Sequence, residues 1–113
     1  MISVERIRDS IQEFGDDFLR KILSINEIED CKNKSNFLNS ISARIAAKEA
    51  FFKALGTGIT EQQSWDSIEI ISDSSGKPVI RLLKSGFNFL EDQVHLSISH
   101  ELGVAVAVVL LTK

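Results

Sequence analysis

The chain contains one proline, one cysteine, one tryptophan and no tyrosine. Cys31 has no second cysteine to pair with, which excludes an intrachain disulfide and a cysteine-rich metal centre. His95 and His100 are the only histidines, and neither has the cysteine or spaced-histidine neighbours of a zinc motif. No apolar run approaches the roughly 18 residues that a membrane-crossing helix needs. The run GVAVAVVLL ends after nine residues and reads as a buried strand. The opening MISVERIRDS has no apolar core of the secretory kind, so the expectation is a cytoplasmic protein without membrane insertion. With 13 basic and 16 acidic side chains the net charge is −3, which gives no overall support for nucleic-acid binding.

What remains is an ordinary globular composition, 43% hydrophobic and 26% charged, over 113 residues. That length fits one domain, residues 1–113. Val4, Ile7, Ile11 and Phe14 recur at offsets of three and four, one face of an amphipathic helix, and Gly15 interrupts it. Phe18, Leu19 and Ile22 predict a further helical turn, and Ser24 with Glu27 has the pattern of a capping box. The main helix is expected from Asn39 or Ser40 to Leu55, ending at Gly56, with GTG at 56–58 giving a free exit. After it the period changes. SWDSIEIIS reads as a strand, SSGKP as a turn, VIRLL as a second strand and residues 84–91 as a short helix. In VHLSISH, Val94, Leu96 and Ile98 share one strand face while His95, Ser97 and Ser99 share the other. HELG then turns the chain into GVAVAVVLL, the expected hairpin partner. Helices first and a mostly antiparallel sheet afterwards make an α+β domain.

Chemistry concentrates in ARIAAKEAFFKALGTGI, residues 43–59. Lys53 follows Glu49 by four residues, as Lys48 follows Arg44, so each pair shares a helix face. Ala43, Ala46, Ala47 and Ala50 let a neighbouring element approach closely. Two readings stand side by side: a packed helix with a salt-bridged solvent edge, or a carboxylate and ammonium groups serving a metal-bound polyphosphate. SSGKP is likewise a turn built on Gly76 and Pro78, or a turn that offers Lys77 to a phosphate. No P-loop is present, and GTG follows a helix instead of opening one, unlike a dinucleotide fingerprint. The row of His95, Ser97 and Ser99 suits a polar groove or a subunit surface. A covalent serine nucleophile there has no Asp–His arrangement to support it.

Taken together, RIAAKEAFFKALGTGI at 44–59, WDSIEI at 65–70, SGKP at 75–78 and VHLSISH at 94–100 resemble the holo-acyl-carrier-protein synthases. These are the short bacterial 4'-phosphopantetheinyl transferases. ERI at 5–7, FLRKILSINEI at 18–28 and the final GVAVAVVLL extend the resemblance over nearly the whole chain. It implies the fold of that family and transfer of phosphopantetheine from coenzyme A to a serine of apo acyl carrier protein. The by-product is 3',5'-ADP, and the product serves fatty acid biosynthesis. By motif position it implies Glu49 as magnesium ligand, Lys53 as phosphate contact and His95 as a residue near coenzyme A that aids proton handling. Arg44, Lys48, Gly76, Lys77 and Pro78 are implied contacts to nucleotide or phosphate. A homotrimer with sites between subunits is implied as well. Arg6, Arg8, Arg20 and Lys21 would form a basic front for the acidic carrier. One departure is expected: the family's opening strand, with its magnesium-binding aspartate, would precede Met1 and is lacking. Either the chain begins at a late start, or it is a shortened, weakly active or noncatalytic coenzyme-A- and carrier-binding module.

Overall fold

A computed structural model describes residues 1–56, 64–84, 87, 89–101 and 103–112. Four helices come first: α1 (Val4–Phe14), α2 (Asp16–Ile22), α3 (Ile25–Lys32) and α4 (Phe37–Leu55). Their ends follow local chemistry. The Ser3 hydroxyl accepts from the Arg6 amide at the start of α1. The Ser24–Glu27 capping box opens α3, with the Ser24 amide 2.9 Å from Glu27 Oε1 and the Glu27 amide 3.1 Å from Ser24 Oγ. α4 begins earlier than the apolar period indicates, because Asn36 caps it through the Asn39 amide at 3.0 Å. It ends at Gly56, whose φ of 80° is left-handed and suits glycine. The rest of the GTG exit, residues 57 and 58, lies outside the described residues, as does residue 102 of the HELG turn.

The strands form two antiparallel sheets among the described residues. β2 (Ile68–Ser72) pairs with β3 (Pro78–Leu82), and Ile70 lies opposite Ile80. β4 (Val94–Glu101) pairs with β5 (Val104–Leu111), and β5 also carries β1 (Ile2–Ser3) on its far edge. The order in that sheet is β1-β5-β4. The expected absence of an opening strand is therefore corrected in part. Ile2 and Ser3 do pair, with Ala105 and Val104, as a two-residue strand. The short helix expected over 84–91 falls partly on residues 85, 86 and 88, which are outside the described set. At the end of that stretch the described residues form a 3-10 turn at Glu91–Gln93, and a second such turn, Trp65–Ser67, precedes β2.

Packing centres on α4. Ala43 and Ala46 let it approach β5 at Ala105, confirming the close contact that small residues allow. On another side Ala47, Phe51 and Phe52 meet Ile68, Ile70 and Ile80, with Phe51 edge-on to Phe52 at 5.4 Å. Each buried phenylalanine contributes about 1.5–3 kcal/mol by leaving water. On the third side Ile41 and Ile45 complete a cluster with Ile7, Leu19, Leu23 and Cys31 from the other helices. α4 is thus apolar on most of its circumference, and two of its charged residues, Arg44 and Lys48, lie inside a packed environment.

Candidate active site

Arg44 is only 4% exposed. Its Nη2 donates to Asp30 Oδ2 at 2.6 Å and to Ser72 Oγ at 3.5 Å. Asp30 Oδ2 also accepts from the Ser72 amide and hydroxyl, at 3.3 and 3.1 Å, so α3 and the end of β2 hold one side of the guanidinium. The other nitrogen, Nη1, is buried and has no hydrogen-bond partner among the described residues. Arg44 lines a cleft of about 250 Å3 with Lys34, Ser72, Gly76, Pro78 and His100. A buried donor without an acceptor costs about 1–3 kcal/mol. An incoming anion would remove that cost and gain a charge-assisted bond.

The SGKP turn closes one side of this cleft. Asp73 Oδ1 accepts from the Ser75 amide at 2.9 Å, the Ser75 hydroxyl at 2.7 Å and the Lys77 amide at 3.0 Å. The Ser75 hydroxyl, followed by the Lys77 amide, holds the Asp73 carboxyl below its ordinary range. Gly76 at φ 88° supplies the left-handed residue the turn requires. The turn reading and the ligand reading of SSGKP are therefore compatible, because the same backbone that turns also borders the cleft.

His100 was not singled out from the sequence, yet the structure puts it, and not His95, beside Arg44. The strand period explains this. His100 continues the row of Leu96 and Ile98, and Ile98 packs toward Ala43 and Ala46 of α4. His95 belongs to the opposite row. It lies in a separate cleft of about 460 Å3 between β3 and β4, with Lys77, Pro78 and Arg81, and its Nε2 is 3.3 Å from Thr112 Oγ1. The alternation was readable in VHLSISH; the weight placed on the first histidine of the motif hid it.

Glu49 stands elsewhere. It lines a third cleft, about 490 Å3, with Ser3, Arg6, Ser10, Ile22 and Trp65. At about 100° per residue, five residues separate Arg44 and Glu49 by about 140° around α4, so they look out of nearly opposite sides. Lys53 is exposed one turn beyond Glu49. The two form no ion pair: among the described residues the pairs are Lys32–Glu29, Arg44–Asp30, Lys48–Glu27 and Lys84–Asp66. The expected salt-bridged solvent edge is thus absent.

Lys48 corrects the sequence reading most sharply. Expected at a ligand, it is 0% exposed. Its ammonium donates to Glu27 Oε1 at 2.7 Å and to the carbonyls of Ile22 and Trp65, each at 2.8 Å. Burial pushes its pKa down, and the Glu27 carboxylate opposes the shift. All three protons have acceptors, so no donor remains for a substrate phosphate.

Among the described residues no three histidine, cysteine or carboxylate side chains converge as a metal-binding group. Among the described residues Glu49 is the single carboxylate of its cleft, beside the hydroxyl-bearing Ser3 and Ser10. Magnesium is commonly held by one or two carboxylates with substrate phosphates completing its shell. Glu49 fits that mode, and an all-protein cage does not.

One more surface bears on assembly. On the outer face of the β4–β5 hairpin, Val106, Val108 and Leu110 are 36%, 61% and 59% exposed. They lie opposite Ser99, Ser97 and His95 in register. No described helix is long and apolar enough to cross a membrane.

Comparison with known proteins gives a consistent result. The model of the 4'-phosphopantetheinyl transferase superfamily matches residues 2–109. A holo-[acyl-carrier-protein] synthase of Chloroherpeton thalassium is 46% identical over 112 residues, covering 98% of this chain and 92% of the relative. The chain is similar in structure to the holo-[acyl-carrier-protein] synthase of Neisseria meningitidis, with TM-score 0.83, 35% identity and coverage of 99% and 93% of the two chains. The Helicobacter pylori enzyme, solved in complex with coenzyme A, gives TM-score 0.81 at 35% identity, covering 98% of this chain and 95% of that one.

Proposed function

The chain belongs to the 4'-phosphopantetheinyl transferase superfamily, and on that premise we propose that it is a holo-acyl-carrier-protein synthase acting with magnesium as a homotrimer. It transfers 4'-phosphopantetheine from coenzyme A to a serine of apo acyl carrier protein. The serine oxygen forms a new bond to the β-phosphorus, the bridging P–O bond breaks, and 3',5'-ADP leaves with the electron pair. The serine proton passes to water or to an imidazole, of which the chain has His95 and His100.

The observation that carries this reading is the buried, unpartnered Nη1 of Arg44 in a cleft with Lys34 and His100. On this reading the guanidinium, with Lys34, would receive a phosphate of the nucleotide. Gly76 and Pro78 border the same cleft, and Lys77 with His95 borders the adjoining one, so the nucleotide lies across this end of the molecule. Glu49, with substrate oxygens, would hold magnesium, which when bound offsets charge on the pyrophosphate. Lys53 adds a cation near the leaving group. Arg6 belongs both to the exposed basic set, with Arg8, Arg20 and Lys21, and to the Glu49 cleft. The acidic carrier would thus approach where its serine is needed.

The divergence of Arg44 and Glu49 supports a site shared between copies, as a homotrimer would provide. A donor seated at Arg44 of one copy meets Glu49 and Lys53 of another more readily than those of its own chain. The exposed Val106, Val108 and Leu110 row supplies the apolar surface on which copies meet. A noncatalytic coenzyme-A- and carrier-binding module is the second reading, favoured by the single carboxylate of the Glu49 cleft. Mass spectrometry of apo carrier protein after incubation with the chain, coenzyme A and magnesium separates the two. A gain of one phosphopantetheine with release of 3',5'-ADP supports the enzyme. Bound coenzyme A without any mass gain rejects it in favour of the binding module.

A further inference from the structure

Lys48 is among the largest fully buried side chains of the described residues, and phosphoryl transfer leaves it without a direct task. Its two carbonyl acceptors are informative. Ile22 ends α2, and Trp65 opens the short turn that leads into β2. These segments touch each other, and both Ile22 and Trp65 line the cleft of Glu49. The residue immediately before Glu49 therefore ties together two walls of the space that Glu49 faces. Glu27 completes the knot from α3: Oε1 takes the ammonium, and Oε2 accepts from the Ile70 amide at 3.0 Å.

We propose that Lys48 is a positioning residue for the Glu49 cleft, fixing the Ile22 and Trp65 walls so that Glu49 and the pyrophosphate meet in register. The proposal rests on the transferase reading given above. An ion pair in a dry interior is costly to bury, and an apolar pair of similar volume often serves stability as well. What an apolar side chain cannot do is hold two carbonyls at set places. Misplacement of reacting groups by about 1 Å costs roughly a hundredfold in rate, so the ties have a use that stability alone does not give them.

The two roles separate in a pair of variants. Replacing Lys48 while neutralising its partner, K48M with E27Q, leaves no buried charge unpaired, keeps an acceptor oxygen at position 27 for the amides that Glu27 serves, and removes both carbonyl ties. E27Q keeps the ties and removes the charge partner. Thermal midpoint, 3',5'-ADP affinity, kcat and the KM for coenzyme A are measured for the native chain and both variants. The double variant is expected to fold with a midpoint somewhat below that of E27Q, because the two carbonyls lose their donor, and to bind 3',5'-ADP within about threefold of the native chain, while kcat falls at least tenfold. E27Q is expected to lower the midpoint while its kcat per folded molecule stays within about threefold. Full kcat in the folded double variant overturns the proposal. So does a double variant that fails to fold, which would assign Lys48 to stability alone. Should the native chain bind 3',5'-ADP but transfer nothing, the transferase reading fails by itself. The wall-fixing role is then read from amide hydrogen exchange at residues 22–24 and 65–67. Exchange should quicken in the double variant and not in E27Q, and equal exchange in the two overturns it.

Discussion

Arg44 and Lys48 are one turn apart on α4, both cut off from bulk water, and each has a carboxylate from α3 as its partner. Beyond that they differ. Lys48 has three donors and three acceptors, in a compact tetrahedral set. Arg44 has a planar fork, of which Asp30 and Ser72 hold one nitrogen while the other has no partner. A buried cation whose donors are all used is closed chemistry that shapes its surroundings. A buried cation with one donor unused carries an unmet hydrogen-bonding capacity, which an anion brought to it would satisfy.

The comparison breaks most plainly at Lys48. K48M alone leaves the buried Glu27 carboxylate without its counter-ion and two carbonyls without a donor, and such broken pairs cost about 3–5 kcal/mol. At this chain length the thermal midpoint should fall by more than about 10 °C in a calorimetric scan. A midpoint within 2–3 °C of native, on the ~1 kcal/mol scale of an ordinary surface substitution, would show that Lys48 is not the closed member of the pair. Arg44 is tested by R44K. A single ammonium can keep Asp30 but cannot also present a second nitrogen to the cleft. Affinity for 3',5'-ADP is expected to drop about tenfold, equivalent to roughly 1.4 kcal/mol, with a far smaller change in midpoint than K48M. Calorimetric titration checks it; unchanged affinity would mean that Nη1 is not the anion's seat.

The same two residues show how much the sequence made legible. Helix order, the β4–β5 hairpin, the Ser24–Glu27 cap and the alanine contact with β5 all rest on local signals, and these were readable. Lys48 was misplaced because its acceptors lie 26, 21 and 17 residues away, at Ile22, Glu27 and Trp65. Helical spacing reports only neighbours three and four residues off, so Lys48 showed only the face it shares with Arg44 and was read as a contact to nucleotide or phosphate. Arg44 carried the same implied phosphate role, and its Asp30 clamp was equally invisible. Asn36 hid the start of α4 inside a polar stretch, where a cap looks like loop. The split of the candidate residues among three clefts depends on which side of α4 each one leaves, and that is decided by tertiary packing.

The two histidines sharpen the comparison at smaller scale. His100 shares the Arg44 cleft and His95 lies across Pro78 in the next one. H100A should weaken 3',5'-ADP binding by about fivefold, the value of one hydrogen bond of roughly 1 kcal/mol, and H95A by less. The reverse order in a calorimetric titration would move the nucleotide into the β3–β4 cleft.

Cys31 gives the smallest effect and tests how dry the space beside Arg44 is. It is 0% exposed, and burial pushes its thiol above the ordinary value of 9.0, with Arg44 offsetting part of the rise. The thiol form is thus favoured in the folded chain, and the thiolate, the reactive species, is suppressed. Native protein at pH 8 should resist iodoacetamide while the chain in denaturant is alkylated promptly, as mass spectrometry would show. The linkage has a definite sign. A raised folded value contributes stability that is full below pH 9.0 and is lost as pH climbs through the higher folded value. The C31A variant lacks that contribution, so the difference in midpoint between native chain and variant should shrink above pH 9 and stay level between pH 6 and 8. Rapid alkylation of the native chain would mean that water reaches the Arg44–Asp30 pair, and the contrast between a receptive Arg44 and a closed Lys48 would then rest on Nη1 alone.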